Sequence, residues 1–179
     1  MVRDVRLAAA RVRAGGIVGY ATEACFGLGC DPRRVPSLRR LLRLKRRVPG
    51  KGLILLACDE RALARYAVSL PGVARASWPG PHTWLVGANR KTLALVRGRH
   101  TKVAVRITAH RQARALAQAC GGAIVSTSAN RAGERPVKSA RELARRFGTT
   151  LDAILIGRTG GGARPTSIRD AESGRYLRR

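Results

Sequence analysis

Apolar and polar positions along the chain follow two periods. Leucines at 38, 41, 42 and 44 with arginines between them predict an amphipathic helix over 36–46 with a basic outer face. Further helices are expected over 5–14, stopped by Gly15 and Gly16, over 60–67 behind a capping Asp59, and over 110–120, ending at Gly121 and Gly122. A last helix is expected over 139–147, with Glu142 and Arg146 four residues apart. Short apolar or alternating runs predict strands over 17–20, 52–57, 82–87, 102–107 and 152–156, with a further strand entering at Ala123 and strand pieces at the C-terminus. The segment 21–31 is rich in small residues and is expected as a loop, Trp78 to Pro81 as a rigid turn, and Gly160 to Gly162 as a flexible loop.

Strands and helices that interleave in this way predict an α/β class with a mixed parallel and antiparallel sheet flanked by helices. The 179 residues suit a single domain, 1–179, and contain no internal repeat or low-complexity linker.

The stretch Ala123 to Asn130 is where candidate chemistry concentrates. Ala123, Ile124 and Val125 form a buried-strand run that passes directly into Ser126, Thr127, Ser128 and Asn130. In α/β folds ligands sit beyond the carboxyl ends of strands, so this cluster reads either as a polar binding site or as an ordinary turn. Far away in sequence, Lys45, Arg47 and Lys51 surround the break at Pro49 and Gly50. They read as a phosphate cradle, with Arg47 suited to bidentate contact, or as a solvated basic helix end. Arg106 follows Val103, Ala104 and Val105 in a strand, where a guanidinium needs an anionic partner: a ligand carboxylate or one of the few acids. Thr22 and Glu23 after the first strand read as a turn or as a pocket wall.

Charge changes the picture further. Thirty-six Lys and Arg against 10 Asp and Glu give +26, a field that attracts polyanions such as RNA. The basic residues are spread along the chain, so charge alone locates no binding face. Aromatics make up only 4%, which argues against a base-stacking platform and for backbone contacts if RNA is bound. No signal peptide and no membrane-length apolar run is read, so a cytoplasmic protein without membrane association is expected. The cysteines at 25, 30, 58 and 120 have no disulfide or zinc spacing, and Cys25 and Cys58 read as small core residues. With histidines scattered at 82, 100 and 110, no protein-held metal is expected. Gly157 to Arg164 lacks the Gly-Lys-Ser/Thr ending of a phosphate loop, so a nucleotide would be held by side-chain cations and hydroxyls.

Taken together, these segments resemble the YrdC-like family. Tyr20 to Asp31 resembles its Pro-Thr-Glu segment, with Ala21 where proline is usual. Leu44 to Arg47 resembles its Lys-x-Arg motif, followed by Lys51 to Ile54, and Trp78 to Thr83 resembles its Trp-Pro-Gly-Pro-x-Thr turn. Ala104 to Arg106, the Ser-x-Asn motif at Ser128 to Asn130, and Pro165 to Asp170, with Thr166 in place of the usual serine, complete the order over almost the whole chain. Gly160 to Arg164 departs from the common form.

The resemblance is to the short form without the additional domain of longer relatives. It implies threonylcarbamoyl-adenylate synthesis from L-threonine, bicarbonate and ATP, with pyrophosphate released and magnesium entering with ATP. Partner proteins would then transfer the threonylcarbamoyl group to adenosine beside the anticodon of tRNA, which this chain would meet through electrostatics. By the same resemblance Lys45, Arg47, Lys51 and Lys102 face the phosphates, and Ser128 and Asn130 hold the nucleotide or acyl-phosphate region. Thr22, Arg106, Ser126 and Thr166 surround threonine, with Arg106 on its carboxylate. Two alternatives remain at this stage, an RNA-binding or ribosome-maturation protein of the same fold and a YciO-type paralogue.

Overall fold

The computed structural model describes residues 1–162 and 166–178. In chain order the elements are α1 (Val5–Arg13), β1 (Val18–Ala21), β2 (Phe26–Cys30), α2 (Val35–Leu44), β3 (Ile54–Ala57), α3 (Gly72–Ala76), β4 (His82–Gly87), α4 (Ala94–Arg97), β5 (Lys102–Ile107), α5 (Arg111–Ala119), β6 (Ala123–Ser128), α6 (Ala140–Phe147), β7 (Ala153–Ile154), β8 (Ser167–Asp170) and β9 (Tyr176–Arg178). The strands form one mixed sheet in the order β7-β1-β2-β6-β3-β5-β4-β8-β9. The pairs β1–β7, β3–β5 and β4–β8 are parallel and the others antiparallel.

Each face of the sheet has its own core. Leu55, Val105, Val125 and Leu28 pack with Leu38 and Leu41 of α2, Val96 of α4 and Leu143 and Phe147 of α6. Leu56, Ile124, Val18 and Tyr20 pack on the other face with Ala8, Ala9 and Val12 of α1 and Ala113, Leu116 and Ala117 of α5. The expected alternation produces this division, because neighbouring strand residues point to opposite faces. The α1/α5 side is covered over only part of its length, and the exposed remainder becomes the site.

Side chains cap the starts of two helices. The Asp4 carboxylate accepts from the Arg6 amide at 2.7 Å. The Ser139 hydroxyl accepts from the Glu142 amide at 3.1 Å, and Glu142 pairs with Arg146 at 2.8 Å.

Two expectations are corrected. The segment 21–31 is not wholly a loop, since 26–30 is a strand, all of it buried, between β1 and β6. Its glycines hide the strand signal, and at Gly29 a Cβ would lie 2.9 Å from the Tyr20 ring, so the small residue makes room for that ring. The helix expected over 60–67 shrinks to one 3-10 turn, Arg61–Leu63, with Asp59 capping the Ala62 amide at 2.9 Å.

Gly98 closes α4 at φ +72°, where an added Cβ would stand 2.5 Å from the Gly50 carbonyl oxygen. Both the dihedral and the backbone contact exclude a side chain. Gly98→Ala is expected to cost about 1–3 kcal/mol, measured as a lowered urea midpoint at unchanged m-value.

Candidate active site

The register of β6 decides which groups reach the uncovered face. Ser126 pairs with Gly29 and Ile54, and Ser128 pairs with Gly27, so both serines share a face with Leu56 and Ile124. On that face the strand ends carry Arg106, Ala104 and Lys102 of β5 and Ile54 of β3. They floor a cavity of 420 Å³. Its walls are Thr22 and Cys25 from the β1–β2 turn, Arg47, Lys51 and Gly52 before β3, Arg97 at the end of α4 and His100 after it, and Thr166, Leu177 and Arg178 from the C-terminal hairpin. Six Lys and Arg side chains line this cavity, and among the described residues no Asp or Glu does.

Arg106 lies at the inner end, its side chain 5% exposed. Its Nη2 meets the Glu23 carboxylate at 3.1 Å, while Nε and Nη1 are buried without a hydrogen-bond partner among the described residues. Both sequence readings are thus present together, an acid partner on one side and open donors on the other. Burial pushes the Glu23 carboxyl up, but Arg106, the Thr108 hydroxyl at 2.7 Å and backbone donation outweigh it and hold the group below its ordinary value. Glu23 is therefore a fixed carboxylate that orients Arg106. The glycine stretch packs onto the same turn, with the Gly160 amide donating to the Thr22 carbonyl at 3.0 Å and the Gly162 amide to the Glu23 carbonyl at 2.9 Å.

Arg47 anchors itself by donating from Nη2 to the Gly52 carbonyl at 2.9 Å, leaving its buried Nε without a partner among the described residues. Burial holds its pKa below the ordinary arginine value. Lys51 stands beside it in the wall. Lys102 also lines the cavity, but its ammonium pairs with Asp170 and Glu172, each at 2.8 Å. The hydrogen bond from Lys102 pushes the Asp170 carboxyl down to about 2. Thr166 faces Thr83 at 3.4 Å between hydroxyl oxygens, while its carbonyl accepts from Arg178 at 2.7 and 2.9 Å. Pro165 of the same motif lies outside the described residues.

Lys45 and Asn130 support the cavity from behind. The Lys45 amino group donates to the carbonyls of Ser128 and Asn130 at 2.5 and 2.7 Å, and its own carbonyl accepts from the Ala132 amide. The Asn130 amide donates to the Arg131 and Glu134 carbonyls at 2.9 and 2.8 Å, and its oxygen accepts from the Ser128 hydroxyl at 2.5 Å. Together they hold the turn after β6, while Ser126 and Ser128 themselves line the cavity.

Sequence reasoning missed Arg97, His100 and Arg178, which sit in segments without a motif and are brought to the wall by α4 and the last hairpin. Cys25, read as a core residue, is half-buried and lines the cavity, whereas Cys58 is buried as expected. The repeated arginines of a basic chain gave no signal that would single these cations out.

Burial, and then the Arg47 charge, lowers the Lys45 ammonium to about 8 from 10.5. The folded state therefore binds its proton more weakly than the unfolded chain, and stability from this group grows as pH rises from 8 to 10.5. The stability difference between wild type and Lys45→Met is expected to increase across that window, measured by denaturant titration. An unchanged difference would contradict the buried ammonium.

Comparison with known proteins agrees with this geometry. The profile of the Sua5/YciO/YrdC family, described as telomere recombination, matches residues 10–179. Proteins named threonylcarbamoyl-AMP synthase from Halorhodospira halophila and Alkalilimnicola ehrlichii are each 52% identical, over 98% and 97% of this chain and 94% of theirs. The structure of P. abyssi Sua5 complexed with L-threonine superposes with a TM-score of 0.88 at 27% identity, over 94% of this chain and 51% of that one. E. coli YciO shares the fold at a TM-score of 0.84 and 24% identity, over 97% of this chain and 87% of its own. With the family profile spanning nearly the whole sequence and close relatives matched end to end, the chain belongs to the Sua5/YciO/YrdC family.

Proposed function

We propose that the chain is a threonylcarbamoyl-AMP synthase, a nucleotidyltransferase that joins L-threonine, bicarbonate and ATP. The observation that carries this reading is the cavity lined by six cations and no acid among the described residues, with open Arg106 donors at its inner end. It fits two anions at once, a small carboxylate held deep and a polyphosphate nearer the rim. The full-length match to relatives bearing that enzyme name supports the same reading.

In the reaction, the threonine amine takes up the carbon of bicarbonate as a carbamate, with loss of water. A carbamate oxygen then attacks the α-phosphorus of ATP, and the bond to the bridging oxygen breaks to release pyrophosphate. No covalent protein intermediate is required. Arg106, braced by Glu23, receives the threonine carboxylate through Nε and Nη1, with Thr22, Ser126 and Thr166 around the amino acid. Arg47 and Lys51 neutralise charge as it shifts onto the leaving pyrophosphate, and Ser128 meets the nucleotide. Lys45 and Asn130 act by fixing the turn that carries Ser128. Lys102 takes part in phosphate binding only by loosening its pairs with Asp170 or Glu172.

In this reading magnesium accompanies the substrate as MgATP. Among the described residues no three His, Cys, Asp or Glu side chains cluster to hold a metal.

A cytoplasmic location goes with this role, and among the described residues no helix is long and apolar enough to cross a membrane. The +26 charge supports an additional contact with tRNA before partner proteins take over the product. That contact is electrostatic, so tRNA affinity is expected to fall by orders of magnitude between about 50 and about 200 mM salt, and a flat salt dependence would contradict it.

The enzyme reading is tested by pyrophosphate release from MgATP and bicarbonate. Release is expected to require L-threonine, and Arg47→Ala is expected to lower kcat by about 10²–10³. Nucleotide binding without threonine-dependent release would overturn the assignment.

A further inference from the structure

Ser126 and Ser128 lie two residues apart on one face of the sheet, and both line the cavity. Their hydroxyls are wired in opposite senses. The Tyr20 phenol, fully buried among core residues, donates to the Ser126 oxygen at 2.7 Å. Among the described residues no other acceptor is recorded for that phenol, and a buried O–H without an acceptor is costly, so Tyr20 is the donor and Ser126 the acceptor. The proton of Ser126 is thereby released for the cavity.

At Ser128 the wiring is reversed. Asn130 donates both amide protons to the Arg131 and Glu134 carbonyls, which fixes the orientation of its side chain and leaves its oxygen as the acceptor. The Ser128 hydroxyl donates to that oxygen at 2.5 Å. Ser128 therefore presents only lone pairs to the cavity.

We propose that Tyr20 is a positioning residue that makes Ser126 an obligatory hydrogen-bond donor to an anionic oxygen of the amino-acid substrate, opposite to the acceptor role imposed on Ser128. The two serines then sort the substrates by polarity. Ser126 serves a carboxylate or carbamate oxygen beside Arg106, and Ser128 serves an N–H or O–H group, such as a ribose hydroxyl. Gly29 belongs to this device, since a side chain there would displace the Tyr20 ring. The inference rests on the proposed synthase reading for the identity of the amino acid.

L-threonine binding by calorimetry to the full chain and to Tyr20→Phe, Ser126→Ala and the double variant tests it. Tyr20→Phe keeps the ring in the core, so its thermal midpoint is expected to stay near that of wild type. Its threonine affinity is expected to fall about tenfold, with ATP affinity unchanged. The double variant is expected to bind no more weakly than Ser126→Ala, because Tyr20 acts only through the Ser126 donor that this substitution removes. Unaltered threonine affinity in Tyr20→Phe, or losses that multiply in the double variant, would overturn the proposal. Wild-type protein that binds threonine but releases no pyrophosphate would overturn the synthase reading while leaving the binding comparison decisive for Tyr20. Wild-type protein that binds no threonine would overturn both.

Discussion

Everything in the site depends on the register of β6 between β2 and β3. Side chains alternate along a strand, so a slip of one residue would turn Ser126 and Ser128 out of the cavity and put Val125 and Thr127 in their place. The apolar half of the strand prevents this, because Ile124 and Val125 are wholly buried in two different cores on opposite faces. Slipping would exchange those positions against α5 on one side and the Leu55 and Val105 layer on the other. Hydrophobic packing at the start of the strand thus aims the hydroxyls at its end.

The second constraint is electrostatic. A chain of this charge gathers guanidinium and ammonium groups around one cavity, and a buried arginine there is tolerable only with a partner. Glu23 supplies one and is itself tied to Thr108 and the Ala109 amide. The remaining Arg106 donors stay open, and Lys102 is quenched by two carboxylates of the C-terminal turn. A few acids therefore grade the field, strongest where Arg47, Lys51 and Arg97 stand without a carboxylate in the lining. That gradient suits a polyphosphate near the rim and a single carboxylate at depth.

Much of this was readable from the residues alone. The strands at 82–87 and 102–107 and the helices α2, α5 and α6 follow directly from apolar spacing and from the glycines that end α5. The strand β2 was obscured because Gly27 and Gly29, the latter making room for the Tyr20 ring, read as loop residues. The helix expected after Asp59 failed because one capped turn does not outweigh the packing of Leu63 and Tyr66 into the core. Within the site, residue types marked Arg47, Lys51, Arg106 and the two serines as candidates, and the resemblance to the YrdC-like family foretold their meeting. The direction of Lys45 was not foretold, since a lysine at a helix end reaches solvent or backbone equally well. Here Arg46, at φ 51°, turns the chain and leaves Lys45 under the β6 turn. Arg97 and Arg178 join through the long-range packing of α4 and the last hairpin, which local pattern does not encode.

The account is tested most directly by a crystal structure of the protein with L-threonine and a non-hydrolysable ATP analogue. It predicts the threonine carboxylate on Nε and Nη1 of Arg106, the phosphates against Arg47 and Lys51, and the amino group turned toward the α-phosphate. A nucleotide bound outside this cavity, or threonine without contact to Arg106, would contradict it.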